Sequence, residues 1–238
     1  MQINTSMNIV IPAAGAGSRF KPLYTEPKPY IKVNNVSMIA LAVKTLDLAG
    51  TYHYILPKDV GLTDVMHELK QITPDCTFLI IDYVTEGAVQ SALLLTDLIN
   101  NDDELIIANC DQVMEWDTEP AMKRLRMFDG GLVTIHDDNP KHSYALIEEG
   151  NVTKVVEKEV ISNNALTGIH YWKRGKDFVN AGTKMIAEDN RSLNEFYISA
   201  TYNYLIKDGL TVGDYMIDQN EIHFIGTPED LDKYNGSK

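Results

Sequence analysis

The chain has 238 residues, 44% hydrophobic and 23% charged, which is apolar material enough for a sizeable core and leaves no low-complexity tract that would favour disorder. Its net charge of −13 repels nucleic acid and anionic membrane surfaces, and would repel a nucleoside triphosphate as well, so any phosphate site has to be a local cationic pocket assisted by a divalent cation. No apolar run approaches the ~20 residues of a membrane span.

In chain order, Ile9–Ile11 reads as a buried strand ending at Pro12 and followed by a glycine-containing loop. Residues 37–49 have helical periodicity, with Ser37 as N-cap and Gly50 as stop. Tyr52–Leu56 is a second strand, 62–72 a helix with Met66 and Leu69 inward, Phe78–Ile81 a third strand, 87–99 a helix beginning at Gly87, and Leu105–Ala108 a fourth strand. This alternation predicts βαβ units and a mostly parallel sheet. After Asp111 the rhythm changes. A helix over 119–128 precedes short strands at Leu132–His136, Tyr144–Ile147, Val152–Val156 and Thr167–Trp172, which predict a mixed or antiparallel addition to the first sheet. Helices at 175–188 and 195–207, a strand near 211–217, an extended piece near 221–225 and a helix from Pro228 follow. No repeat or long linker divides the chain, so one unit over 1–238 is expected, with a functional division near residue 112. Met7, where the pattern begins, is a candidate second start. The first residues, MQINTS, lack the basic n-region of a secretory signal. Cys76 and Cys110 are too few for a disulfide framework and read as buried free thiols, so a cytoplasmic setting is expected.

The strongest chemical signal is Gly15-Ala16-Gly17-Ser18-Arg19 directly after a strand. Glycines allow a tight turn and bring backbone N–H groups close to an anion, and a helix N-terminus just beyond would add a positive dipole. The loop is neither a Walker A motif, since no Gly-Lys-Ser/Thr follows, nor a good dinucleotide fingerprint, since the third glycine is absent and no ribose-binding acid follows at the expected distance. Arg19, Lys21 and Lys28 concentrate positive charge here in an acidic chain, and Pro22, Pro27 and Pro29 stiffen the segment.

Residues 15–29, GAGSRFKPLYTEPKP, resemble the signature of the sugar-phosphate nucleotidyltransferases. The resemblance implies an α/β fold with a Rossmann-like central sheet of the GT-A type and a site at the carboxyl ends of its strands. It further implies that Ala13, Ala14, Gly15, Gly17 and Ser18 surround the nucleotide, that Arg19 grips the β- and γ-phosphates, and that Lys28 stabilises charge at the α-phosphate. Asp111, in IIANCDQ at the end of a buried strand, reads by itself as either a turn aspartate or a ligand-facing carboxylate; the resemblance makes it the ligand of Mg2+. EGAVQSA, 86–92, resembles the family's base-covering loop. There Gly87 would let the backbone approach the base, Gln90 or Ser91 would contact the nucleoside, and Asp82 would offer an acceptor to the base edge.

EKEVISNNALTGIHYW, 157–172, is similar to the family's acceptor segment. Glu157 would accept substrate hydroxyl bonds and Lys158 would face the acceptor phosphate, with Gly168 in the following strand and with Tyr144, Asn163 and Asn164 as further pocket candidates. IGTPEDL, 225–231, also matches, but Phe224 stands where the family carries a second metal-binding aspartate, so Asp111 acts with substrate oxygens and water, or Glu221 or Asp218 substitutes. The expected reaction is attack by an anionic acceptor phosphate on the α-phosphorus of an NTP with release of pyrophosphate, which needs cations and carboxylates rather than a strong base. About 7–112 would hold the nucleotide and 113–238 the acceptor. The expected partners are an NTP and a small phosphorylated acceptor, a sugar phosphate or an alcohol phosphate such as phosphocholine, without nucleic acid or membrane; the sequence leaves a homo-oligomer open. The chain resembles the family's short members, without a β-helix domain. A GT-A glycosyltransferase and a non-catalytic nucleotide-sugar sensor are the competing readings, the former disfavoured because Asp111-Gln112-Val113 lacks the second aspartate of an Asp-x-Asp motif.

Overall fold

The computed structural model describes residues 6–236, so that most of MQINTS lies outside the described residues. The chain opens with β1 (Met7–Pro12) and runs through a loop with a short 3-10 turn at Lys28–Tyr30. A small hairpin follows, β2 (Lys32–Val33) and β3 (Val36–Ser37), closed by Asn34 and Asn35 at φ 52° and 68°. Two consecutive left-handed residues make the tight hairpin turn that asparagine tolerates, a signal the sequence reading passed over. Ser37 caps α1 (Met38–Leu46) by accepting from the Ala40 N–H. That helix ends at Asp47, which takes the left-handed conformation, three residues before the expected stop at Gly50.

Next come β4 (Thr51–Pro57), α2 (Leu62–Ile72) and β5 (Cys76–Ile81). In α2 the buried pair is Val65 and Leu69, with Met66 packed at the core's margin. The helix expected over 87–99 is two pieces, α3 (Ala88–Leu93) and α4 (Thr96–Ile99). The Thr96 hydroxyl donates to the Leu93 carbonyl at 2.6 Å, which diverts the helical ladder there. Strand β6 (Glu104–Ala108) leads through Asp111 into β7 (Gln112–Met114) and α5 (Thr118–Leu125).

The second half contributes β8 (Gly130–His136), β9 (Tyr144–Glu148), β10 (Asn151–Val156) and β11 (Asn164–Trp172). It continues with α6 (Gly175–Ala187), α7 (Tyr202–Lys207), β12 (Val212–Met216), β13 (Ile222–Phe224) and α8 (Pro228–Gly236). The helix expected from 195 begins only at the 3-10 turn Ile198–Thr201, because Phe196 is extended and bonds through its backbone to Glu86 and Val89.

One sheet joins the two halves in the order β10-β9-β11-β6-β1-β4-β5, with β8 on the other edge of β11 and β12 beside β8. Strands β5, β4, β1 and β6 are mutually parallel, whereas β11 runs antiparallel to β6, β8 and β9. The mostly parallel α/β sheet with an antiparallel addition is therefore as the sequence pattern predicts. Chain order reverses at β1, which has β4 on one side and β6 on the other, and such a switch point opens a crevice at the strands' carboxyl ends. Alternation along β1 sends Ile9 and Ile11 to the core under α1 and α2, and Val10 to the core under α3 and α6.

A third, smaller cluster matters most for the site. Phe20 from the glycine-rich loop packs with Ile31, Val33, Met38, Val113, Ile225, Leu231 and Tyr234, which ties that loop to α8 and to the β7–β13 pair. Phe20 is 1% exposed. We predict that Phe20→Ala lowers unfolding stability by about 3–5 kcal/mol, measured as a shift of the urea midpoint at constant slope; a loss under about 1 kcal/mol would mean the loop is not anchored through this side chain.

Candidate active site

At the carboxyl ends of β1 and β6 lies a cleft of about 480 Å³. Its lining includes Ala13, Gly15, Gly17, Ser18, Arg19, Lys28 and Asp111 together with Glu157, Lys158 and Gly168. The parallel register Val10↔Ile107 accounts for this meeting, since the loop after β1 and the turn after β6 leave the sheet at the same level. The expected helix after the glycine loop is absent. Turns closed by Phe20 N–H to the Gly17 carbonyl and Tyr24 N–H to the Phe20 carbonyl take its place, so no helix dipole stands behind the loop here.

Lys28 and Asp111 form an ion pair, each side chain 21% exposed. Burial pulls the lysine pKa down, but the Asp111 carboxylate, Cys110 and the hydrogen bond to Asp111 outweigh it, with Arg19 opposing, and the result lies above the ordinary 10.5. The amine is thus charged throughout the neutral range. Gly226 makes the pair possible. A Cβ at this position would stand 2.6 Å from Asp111 Oδ2, and the Ile225 N–H donates to the Asp111 carbonyl at 2.9 Å. Beneath the pair Cys110 is buried, and burial pushes its thiol up to about 12, which leaves it a packed group rather than a nucleophile. Cys76, expected buried, is only partly so.

Across the cleft Glu157 accepts from the Ser143 hydroxyl and, at 2.9 Å, from the Ser199 hydroxyl. Lys158, at φ 52°, donates to the Tyr197 hydroxyl at 2.9 Å and lies 4.9 Å above that ring. Of the four cations that line the cleft, Lys28 is paired with Asp111 and Lys141 with Asp230 at 3.5 Å, while Arg19 and Lys158 have no carboxylate partner among the described residues. Two cations without a carboxylate partner among the described residues therefore line one cavity.

Several expected site residues lie elsewhere. Tyr144 is fully buried and its hydroxyl goes to the Asn139 carbonyl at 2.7 Å; strand alternation gives the cleft Ser143 instead. Gly87 does not line the cleft, and the chain itself requires the glycine, since a Cβ there would fall 2.5 Å from the Phe196 nitrogen at φ 128°. The Gln90 side chain folds back to accept from the Glu86 N–H at 2.6 Å, Ser91 bonds to Thr85, and only Ala88 of that loop lines the cleft. Asp82 is exposed after β5, two strands and so roughly 10 Å from β1. Ala14 is buried under the loop, and neither Asn163 nor Asn164 lines the cleft.

Asp218 and Glu221 are spent on each other's turn as a capping box, so neither replaces the aspartate expected at 224. Phe224 itself packs tilted against His142, ring centroids 4.8 Å apart, with the Lys141 amine 5.4 Å from its ring centroid. No group of three metal-ligating side chains occurs among the described residues. The sequence reading missed Asn109, Lys141, His142, Ser143, Tyr197, Ser199 and Asp230, all on the cleft wall. Only Asp230, inside the matched IGTPEDL phrase, carried a signal.

The ion pair predicts a titration. A pKa raised by folding adds stability below the unfolded value of 10.5 and loses it as pH rises through the folded value. Asp111→Asn removes two of the three upward causes and leaves burial and Arg19 opposed only by Cys110, so the Lys28 pKa should fall from its native value. NMR titration of isotopically methylated lysines reads this directly, and an unchanged pKa would rule out the pairing.

A profile of the nucleotidyl transferases matches residues 8–235. Among solved structures, a nucleoside-diphosphate-sugar pyrophosphorylase from Vibrio cholerae superposes with a TM-score of 0.85 at 23% identity, over 96% of this chain and 99% of that one. A putative glucose-1-phosphate thymidylyltransferase from Bacillus anthracis gives 0.78 at 23% identity, over 98% and 95%. A UDP-glucose pyrophosphorylase complexed with UDP-glucose gives 0.74 at 18% identity, over 98% of both chains. No curated protein matches the sequence. These structures share the fold; the profile spans nearly the whole sequence, and the chain belongs to the nucleotidyl transferase family.

Proposed function

We propose that the protein transfers a nucleoside monophosphate from an NTP to the phosphate of a small phosphorylated acceptor, a sugar phosphate above all, and releases pyrophosphate. The observation that carries this is one cleft lined by two cations without a carboxylate partner among the described residues, Arg19 and Lys158, and by the Lys28–Asp111 pair. Two anionic substrates brought together in a protein of charge −13 need that arrangement. The names of three relatives of like fold point the same way: glucose-1-phosphate, inositol-1-phosphate and UDP-glucose appear in theirs.

The part up to about residue 112 takes the nucleotide. Backbone amides of 15–18 approach the phosphates, and Arg19 offers a planar fork for bidentate contact. Lys28, kept charged by Asp111, neutralises charge that builds at the α-phosphate. The later part takes the acceptor. Lys158 meets its phosphate, and Glu157, fixed by two serine hydroxyls, accepts from a hydroxyl group. The attacking phosphate oxygen is already anionic at neutral pH, so the cleft needs no general base, and its histidines and Cys110 stay out of proton transfer. Catalysis then comes from alignment and preorganised charge.

Magnesium is implied by the family and fits Asp111. A partly exposed carboxylate at the cleft, joined by substrate phosphate oxygens and water, is the usual way a protein holds this ion with few ligands of its own. Bound there it supplies further positive charge against the phosphates. Phe224 offers no oxygen, so Asp111 is the one protein ligand in this proposal. The free thiols accord with a cytoplasmic setting.

Pyrophosphate release across a matrix of NTPs and acceptor phosphates with magnesium tests the reading, and no release from any combination would end it. Arg19→Ala and Lys28→Ala should each lower turnover roughly a hundredfold or more, the about 2.7–4 kcal/mol that one preorganised donor contributes, with unchanged circular dichroism. Lys158→Ala should raise the acceptor KM while leaving the NTP KM within about twofold, because uniform binding of one substrate is lost.

A further inference from the structure

One buried side chain on the cleft wall is left over by the mechanism. His170 is 6% exposed and lines the cavity. It sits just past the register shift in β11, opposite Ile107 of β6 and Leu132 of β8. Its ring stacks on Tyr202 at 5.8 Å and leans against Trp172 at 6.2 Å. Tyr202 is itself fixed, donating to the Gly131 carbonyl at 2.9 Å. The turn that leads into Tyr202 carries Ser199, which holds Glu157, so imidazole and carboxylate belong to the same wall.

Burial without a carboxylate partner depresses the imidazole pKa to about 3, so the ring is neutral and carries one proton. Its position follows from hydrogen-bond bookkeeping. Nδ1 is sealed in the interior with no partner, as is the indole N–H of Trp172, whose ring lies 6.2 Å away. A proton on Nδ1 would add a second buried donor without an acceptor, whereas an unprotonated Nδ1 leaves only a lone pair unmet, the lesser cost. The proton therefore rests on Nε2, the ring nitrogen that is not sealed in the interior, on a residue that lines the cleft.

We propose that His170 is a specificity-determining residue, its Nε2–H donating to a hydroxyl oxygen of the acceptor, which makes that acceptor a hydroxyl-bearing phosphate of the sugar or cyclitol class rather than an alkylammonium phosphate. Glu157 can only accept from the acceptor and His170 can only donate to it. Hydroxyl groups satisfy both, and a trimethylammonium group satisfies neither through hydrogen bonds. The inference rests on the acceptor occupying the Glu157–Lys158 half of the cleft.

The test has two arms. In the first, pyrophosphate release is measured with glucose 1-phosphate, inositol 1-phosphate and phosphocholine for the native protein, His170→Phe and His170→Gln. Hydroxylated acceptors should be preferred. His170→Phe should lower kcat/KM for the best of them roughly tenfold to a hundredfold, chiefly through KM, with the NTP KM unmoved; the glutamine amide, which keeps a donor, should recover part of the loss. Preference for phosphocholine, or a phenylalanine variant as selective as the native protein, overturns the proposal. In the second arm, ring-nitrogen NMR of histidine-labelled native protein at neutral pH should show Nδ1 unprotonated and Nε2 protonated, with the Nε2 signal moved by glucose 1-phosphate. A proton on Nδ1, or no response to the sugar phosphate, overturns it. If no acceptor yields pyrophosphate, the transferase reading fails by itself, and the NMR arm still decides the role of His170.

Discussion

The ion pair between Lys28 and Asp111 is the contact on which the rest of the site depends. Its two members come from loops after different strands, and they meet because β1 and β6 are parallel neighbours that end at one level. The lysine arrives on a 3-10 turn held by prolines, the aspartate on the turn into β7, and Gly226 leaves room for the carboxylate. Burial pulls the pKa of an ammonium in a partly buried cleft down, and the carboxylate partner opposes that pull. With it, a cation stands fixed in the middle of a molecule whose overall charge would otherwise turn a triphosphate away.

The end of the described chain matters as much as its beginning. Strand β13 pairs with β7 directly after Asp111, and α8 closes the small cluster that receives Phe20. The loop for phosphates is therefore not free-standing. Apolar contacts from residues more than two hundred positions away hold it, so its cations are presented in one geometry rather than searching for it. Rigidity of this kind lowers the entropy lost when a ligand orders the site.

The two walls of the cleft use opposite devices. In the proposed reading the nucleotide part works with loop backbone and charge, while the acceptor part works with directional hydrogen bonds on and beside the antiparallel strands. Glu157 is oriented by two serines, Lys158 by a tyrosine, and His170 by the ring stacked beneath it. Charge suits phosphates, which every substrate of this class carries. Directional donors and acceptors suit the part of the acceptor that varies. The phenylalanine at 224, packed on His142 with a lysine over its face, marks where this chain departs from the carboxylate its motif leads one to expect.

Periodicity and the glycine-arginine-proline-lysine motif made much of this legible beforehand. The parallel half, the antiparallel addition and the cation loop follow from local pattern, because strand alternation, turn chemistry and motif spacing are properties of neighbouring residues; the Glu157–Lys158 pair was singled out only by the family resemblance. Asp111 was visible as a strand-end carboxylate, though not its partner. What local pattern could not decide was which side chains face the cleft. Tyr144 and Ser143 are adjacent, and only the pairing of β9 with β10 and β11 determines which of them turns inward. Gly87 reads as a place for a ligand until the backbone of Phe196, over a hundred residues on, is found against it. Sequence thus determined which chemistry the chain carries and on which elements. Tertiary structure decided which of those groups meet, because the facing of a strand and the approach of distant segments depend on long-range packing.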